Sequence, residues 1–476
     1  MEYEAVIGME VHVQLNCKSK VFCGCSTNFD APANTNVCPV CLGMPGAMPV
    51  LNREMVTKSV AVGLALGCTI SRWSKMDRKN YFYPDQSKNY QISQYDLPIN
   101  HDGFLDIDVD GKKKTIGITR AHMEEDTARN THTLGGGQSG VDFNRCGLPL
   151  LEIVTEPDIR SADEAYAYLT ELKQILQYLE VSDCSMEEGK LRAEANISVR
   201  PVGTEPFGTK TEVKNVASFS GTYKAIEFEI ARQIQVLNDG GTIVQETRGW
   251  DDDRGVTFSQ RAKESAHDYR YFPEPDLVPI VVDEAWETTI KEGQPELPTP
   301  RRNRLMEQFD LSPYDAGVLT QTKAMADYFE ATVADVSDAK KAANWIMGDL
   351  QALITQDDAD ITTIKIAPTQ LAAMIKLIED GTISGKIAKE VLVDMFQTGS
   401  DPKAIVEAKG LVQISDTGEL EKMIAAVLEK NPAQVEEFRS GKEKVIGFLV
   451  GQVMQATKGK ANPKLVNEIL RKQLST

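Results

Sequence analysis

From Ile7 to Leu15 polar and apolar side chains alternate: Glu10, His12 and Gln14 fall on one set of positions, Met9, Val11, Val13 and Leu15 on the other. Successive side chains of a strand point to opposite faces, so this pattern predicts a strand with one apolar face and one bearing a carboxylate beside an imidazole. The segment Phe104–Val109, the pair Asp110-Gly111 and the segment Lys114–Thr119 predict a hairpin on an Asp-Gly turn. Leu191–Asn196 alternates too, placing Arg192, Glu194 and Asn196 together. Helical periodicity enters at Ser161-Ala162-Asp163-Glu164, a capping box before an apolar stripe of Ala165, Tyr168, Leu169, Leu172, Ile175, Leu176 and Leu179. A second helix is expected over about 223–237. Strands joined by hairpins and irregular loops rather than βαβ units predict an antiparallel α+β domain over residues 1–293.

Three prolines in the segment Gln294–Pro300 predict a stiff, extended hinge. Beyond it the apolar spacing is helical over 323–334, 338–354 and 369–380, and a break is expected at 397–402. This divides the rest into a helical domain, 294–405, and a small helical tail, 406–476. A chain of 476 residues is too long for one core. Its 41% hydrophobic and 26% charged residues are those of a globular protein. Nothing approaches a membrane span, and the acidic start Met1-Glu2-Tyr3-Glu4 is unlike a signal peptide. A cytoplasmic location with reduced thiols is expected. The net charge of −18 argues against general coating of nucleic acid. From Arg439 onward, however, eight basic residues face two acidic ones, either as a solvated helical face or as an RNA contact.

Cys23-Gly24-Cys25 and Cys38-Pro39-Val40-Cys41 are separated by twelve residues. Two close pairs with room to fold back match a four-thiolate zinc knuckle, structural because no coordination position stays open; the alternative is four plain thiols. Cys17, Cys68, Cys146 and Cys184 lack such pairing and read as small buried hydrophobes. Carboxylates recur in His122–Asp126, at Glu152 and at Glu194, and with Glu10 and His12 they could hold Mg²⁺, which takes hard oxygen ligands. Basic residues interleave with aromatics in Met76–Ser93 and His267–Asp276, a composition suited to stacking bases and holding phosphates. The only short low-complexity segment is Gly135–Gly140. No P-loop, no Gly-x-Ser-x-Gly elbow and no evident glutaminase nucleophile is present.

Taken together, Ile7–Leu15, Cys38–Gly46, Asp77–Ser93, His122–Asp126, Pro149–Ser161, Met186–Ser198, Lys214-Asn215, the run from Asp268 to Pro279 and Leu411–Asp416 resemble the B subunits of tRNA-dependent amidotransferases, the GatB family, across essentially the whole chain. The resemblance implies a cradle domain related to glutamine synthetase and the guanidino kinases, then a helical domain, then a tail of the YqeY type. It implies that ATP phosphorylates the side-chain carboxylate of misacylated Glu-tRNA(Gln) or Asp-tRNA(Asn), and that ammonia displaces the phosphate. The ammonia comes from a glutaminase A subunit, tethered by a small C subunit in a heterotrimer. It places Lys79 in the nucleotide loop and Glu10, His12 and Glu125 around the metal; the residues themselves add Arg192 to Glu10, His12 and Lys79 in catalysis, Lys88 and Lys214 to Lys79 at the nucleotide, and Glu152 and Glu194 to the Mg²⁺ ligands. Where the family commonly has Arg-Cys-Asp-Ala-Asn, this chain has Arg192-Ala193-Glu194-Ala195-Asn196, a carboxylate on a longer arm and a residue at 193 that packs. Two other readings stay open on the residues alone: a non-catalytic tRNA-binding scaffold, and a carboxylate–ammonia ligase for a small molecule.

Overall fold

The computed structural model describes residues 2–28, 31–131, 138–262, 269–412, 417–457, 461 and 463–474. Met1, Gly135–Gly137, His267, Asp268 and Gln413–Asp416, named above, lie outside them, as do Lys458 and Lys460 of the basic C-terminal segment. The chain forms two compact units, Met1–Pro298 and Thr299–Thr476. The first is mixed α and β; the second is built from helices.

The expected strand at the N-terminus is Tyr3–Gln14, and it runs through the middle of a nine-stranded sheet. In spatial order the strands are Val256–Ala262, Glu246–Asp251, Thr211–Lys214, Leu191–Pro201, Tyr3–Gln14, Pro149–Thr155, Lys112–Glu125, Asn100–Val109 and Thr69–Ile70. All neighbours are antiparallel except Thr211–Lys214 with Glu246–Asp251. The Asp-Gly hairpin joins Asn100–Val109 to Lys112–Glu125, with Asp110 and Gly111 both at positive φ (52° and 78°), as a type I′ turn requires.

Met9, Val11 and Val13 are fully buried, as are Leu151, Ile153, Met123 and Ile197 on the neighbouring strands. Helices Arg53–Ala65, Ala162–Tyr178 and Phe219–Asn238 add their apolar stripes to the same core. Ser161 caps the second of these by accepting from the Glu164 N–H at 3.1 Å, while the Glu164 carboxylate reaches back to the Arg160 N–H at 2.7 Å, one residue earlier than a capping box places it. Ala193 is buried beneath the sheet and packs.

The proline-rich hinge is shorter than its composition predicts. Helix Pro298–Phe309 already contains Pro298 and Pro300, because in a first turn the missing N–H has no intrahelical partner to lose. The helix expected over 338–354 is Ala339–Trp345 and Gln351–Gln356 joined by a π-helical turn, Ile346–Leu350. At the expected break Gly399 closes a helix in the left-handed conformation (φ 73°), and Asp401 caps the next, which opens on Pro402. The second unit holds two cores, one from Leu305 to Val406 and one from Leu420 to Leu474. Among the described residues no helix is long and apolar enough to cross a membrane.

One buried carboxylate ties the far edge of the sheet to its helix. Glu229, fully buried on helix Phe219–Asn238, accepts from Thr211 Oγ1 (2.7 Å), Thr257 Oγ1 (3.0 Å), Gln233 Nε2 (3.0 Å) and Arg232 Nη2 (2.6 Å). Burial opposes its ionisation, but the hydrogen bonds from Arg232, Gln233 and Thr211 outweigh burial and hold its pKa below the usual value. Its stabilising contribution is therefore complete above the unfolded-state pKa of about 4.3 and fades as pH falls toward the lowered folded value. Replacing Glu229 by Ala should cost about 3–5 kcal/mol, since Arg232 and the two threonines lose their acceptor. In urea unfolding followed by tryptophan fluorescence, the wild-type advantage over Glu229→Gln should be flat at neutral pH and shrink below about pH 4.3. An advantage that stays constant down to about pH 3 would contradict this account.

Candidate functional site

Antiparallel pairing sets residues of adjacent strands directly opposite one another, on the same face. On the face away from the core this produces rows of charge. Arg192, His12, Glu152 and His122 form one row across four strands. Glu194 and Glu10 begin the next row. Asn196 and Glu212 stand opposite each other one row further on, and Leu150 faces Glu124 on the other side. Side chains two residues apart along each strand link the rows.

Two ligand groups result, each with its donor atoms within 4.8 Å of one another: His12, Glu124 and Glu152; and Glu10, Glu194 and Glu212. In the first, His12 Nε2 lies 3.5 Å from Glu152 and 3.7 Å from Glu124, and His122 Nε2 lies 3.2 Å and 3.3 Å from the same two carboxylates. Burial pushes the His122 pKa down, but Glu152 and Glu124 outweigh it and raise it to about 9; His12 is raised by the same balance. Burial and Glu152 push the Glu124 pKa up, yet His122 and Lys79 prevail and hold it at about 2. Ser93 Oγ (2.8 Å) and Gln91 Nε2 (3.2 Å) orient Glu124. In the second group Asn196 Nδ2 donates to Glu10 at 2.7 Å, Lys214 Nζ to Glu194 at 2.5 Å, and Thr247 Oγ1 to Glu212 at 2.9 Å.

Three cations border these carboxylates. Lys79 lies on strand Asp77–Asn80, with its Nζ 5.1 Å from the centre of the Tyr269 ring. Burial disfavours its charge, but Glu124 and Glu152 more than restore it, so its pKa is raised. Arg192 reaches Asp126 at 3.4 Å, and Asp126 also takes Arg145 at 2.5 Å. Lys214 completes the set. A cavity of about 250 Å³ is lined by His12, Lys79, Glu124, Arg192, Glu194 and Lys214, among others.

Of the residues picked from the sequence, Glu10, His12, Glu152, Glu194, Lys79, Arg192 and Lys214 come together here. Glu125 and Lys88 do not. The alternation of Lys112–Glu125 puts Glu124, two residues from His122, on the polar face and turns Glu125 away. Glu125 instead takes Lys88 Nζ at 2.8 Å and the Ile92 N–H at 2.9 Å. Both residues line a separate cavity of about 230 Å³ beside the cysteines. Glu124 takes the place expected of Glu125, and counting by twos from His122 finds it. Glu212 is missed because its strand, Thr211–Lys214, is too short to show a period.

The aromatic-basic segments pack on each other. Phe272–Pro273 pairs with Asp77–Arg78 in a three-stranded sheet, Arg78 grips Glu274 through two bonds of 2.7 Å, and Tyr95 stacks on Tyr271 at 4.3 Å. Phe82 and Tyr83 stay exposed.

The sulfurs of Cys23, Cys25, Cys38 and Cys41 form a third group within 4.8 Å. Cys38 and Cys41 sulfurs stand 3.9 Å apart, near the ~3.8 Å edge of a tetrahedron with ~2.3 Å metal–sulfur bonds. The Cys38 N–H points at Cys41 Sγ at 3.2 Å. The hydrogen bond from Cys23, then that N–H and the charge of Lys20, pull the Cys41 pKa down to about 4. Cys17, Cys68, Cys146 and Cys184 are buried, and burial raises their thiol pKa values to about 12, 12, 11 and 12.

Comparison with known proteins gives the family. Residues 5–288 match the GatB/GatE catalytic domain, and residues 327–474 match the GatB domain. The B subunits of aspartyl/glutamyl-tRNA(Asn/Gln) amidotransferase from Caldanaerobacter subterraneus, Moorella thermoacetica and Geobacter sulfurreducens are 55%, 56% and 57% identical to this chain, each alignment covering 100% of both chains. The rows of charge thus sit within the catalytic-domain match, and the chain belongs to the GatB family of amidotransferase B subunits.

Proposed function

We propose that this chain converts misacylated Glu-tRNA(Gln), Asp-tRNA(Asn) or both to the amidated form, using ATP and ammonia. The observation that carries the reading is the polar sheet face, where two ligand groups lie side by side under Lys79, Arg192 and Lys214. The full-length identity to proteins named for this activity supports the substrate.

A carboxylate is a poor electrophile, because its charge repels nucleophiles and oxide cannot leave. In this reading a carboxylate oxygen of the aminoacyl side chain attacks the γ-phosphorus of ATP, and ADP departs. The lone pair of ammonia then attacks the carbonyl carbon, phosphate leaves with the bonding pair, and the nitrogen gives up a proton. Phosphoryl transfer needs positioning and charge neutralisation above all. Lys79, Arg192 and Lys214 supply fixed positive charge around the transferring oxygens. The carboxylate donors and neighbouring imidazoles fit a hard divalent cation, which would compete with the histidine protons for the same oxygens. Mg²⁺ held by His12, Glu124 and Glu152, or by Glu10, Glu194 and Glu212, would screen the phosphate charge. Walls that exclude water would protect the acyl phosphate from hydrolysis.

The sheet serves as the cradle, in the manner of glutamine synthetase and the guanidino kinases. A glutaminase A subunit supplies ammonia, and a small C subunit completes the heterotrimer. The four cysteines hold a structural Zn²⁺, and the tail, 406–476, adds a contact to the tRNA.

With partners, misacylated tRNA, ATP and ammonium present, Glu10→Gln, His12→Ala and Glu124→Gln should each lower amidation by about 100-fold or more. Glu125→Gln should lower it far less. Wild-type turnover in the first three would remove the polar face from the mechanism. Tests of tRNA-stimulated ATP hydrolysis separate this reading from a scaffold, which gives none, and from a small-molecule ligase, which ignores tRNA. Elemental analysis should find about one zinc per chain, absent from Cys38→Ser. Deleting residues from about 410 onward should weaken tRNA affinity and flatten its log–log salt slope by roughly one unit per lost phosphate contact. Unchanged affinity across a salt series would exclude the tail from tRNA binding.

A further inference from the structure

Lys20 is fully buried and belongs to neither ligand group of the polar face. Its backbone N–H holds the Cys23–Cys25 turn through the Cys25 carbonyl at 3.0 Å. Among the described residues its ammonium makes three contacts: Asn36 O at 2.8 Å, Phe143 O at 3.2 Å and Cys41 Sγ at 3.6 Å. Glu125, which lines the same cavity, is taken by Lys88 at 2.8 Å. Two neutral carbonyls do not balance a full positive charge, and a buried ammonium without a counter-charge costs several kcal/mol. The third contact is a sulfur of the four-cysteine group.

Four thiolates around a divalent cation carry a net charge of −2, which is itself expensive to bury. An ammonium pressed against one of those sulfurs offsets half of that charge, and the cluster offsets the lysine. Cys41 is also the sulfur that receives the Cys38 N–H, so two donors converge on it. We propose that Lys20 is the counter-charge and positioning residue of the four-cysteine metal site, fixing Cys41 and raising the affinity of the site for a divalent metal. This rests on the reading of the cysteines as a metal site.

The test uses the full chain, loaded with zinc or with cobalt(II), and the variants Lys20→Met and Lys20→Gln. Partners outside the first coordination shell typically contribute about 10–100-fold to affinity. Zinc release to a chromogenic chelator should therefore be about 10–100-fold more favourable from Lys20→Met. A hydrogen bond to a thiolate lowers the energy of its donor orbital. Removing Lys20 should accordingly shift the sulfur-to-cobalt charge-transfer band to lower energy, a change that loss of packing alone would not produce. Lys20→Gln can still donate to the Asn36 and Phe143 carbonyls and loses the charge, so it carries the test if Lys20→Met does not fold. The same direction is expected of it. Zinc affinity within about twofold of wild type together with an unmoved cobalt band, in whichever variant folds, overturns the proposal while leaving the metal site standing. Failure of both variants to fold at saturating zinc also overturns it, because a deficit in metal affinity is restored by excess metal. A wild-type chain that takes up neither zinc nor cobalt overturns the metal reading, and this proposal with it.

Discussion

Everything at the polar face depends on register. Direct opposition across antiparallel strands puts Arg192, His12, Glu152 and His122 in line, and the pleat then decides which residue of each strand belongs to the set. A one-residue slip of Tyr3–Gln14 would bring Met9, Val11 and Val13 to the charged side and bury Glu10 and His12. The apolar core on one face and the charge on the other therefore enforce each other. The core pays for the register, and the register assembles the charge.

That assembly is electrostatically demanding. Glu124 and Glu152 are buried beside one another, a combination that opposes ionisation of both. Both stay ionised because His12, His122 and Lys79 converge on them, His122 from the strand of Glu124 itself and the others from different strands. Charge pairs held in low dielectric contribute little net stability against an apolar alternative. What they give is a fixed field on this face, with donors already oriented.

How much of this is legible in the chain differs residue by residue, for physical reasons. Glu10, His12, Arg192 and Glu194 can be read because long strands announce their faces through strict alternation. Glu124 and Glu125 are adjacent carboxylates, and only the step of two from His122 separates the one that faces the site from the one that meets Lys88. Lys88 sits in a loop, where no period links position to direction. Glu212 lies on a four-residue strand with no pattern to read. The hinge reads as longer than it is because proline is extended-chain punctuation in most places but is at home in the first turn of a helix, where Pro298 and Pro300 are found. Lys20 carries no signal at all. Its meaning comes from two loop segments that meet only in the folded chain, one carrying Asn36 and Cys41 and the other Phe143.

The central position of Tyr3–Gln14 has a consequence for how the protein is made. Its two neighbours are Pro149–Thr155 and Leu191–Pro201, so this strand is synthesised well before either of its partners. At about 5–20 residues per second, the roughly 180 residues between Gln14 and Leu191 take on the order of 10 to 40 s to synthesise. Until Pro149–Thr155 is made a β-prone segment with one apolar face has both edges open, and one edge stays open until Leu191–Pro201 follows, the condition under which strands pair with the wrong chain. The polar face lessens the hazard in one respect: Glu10 and His12 interrupt what would otherwise be a continuous sticky strand.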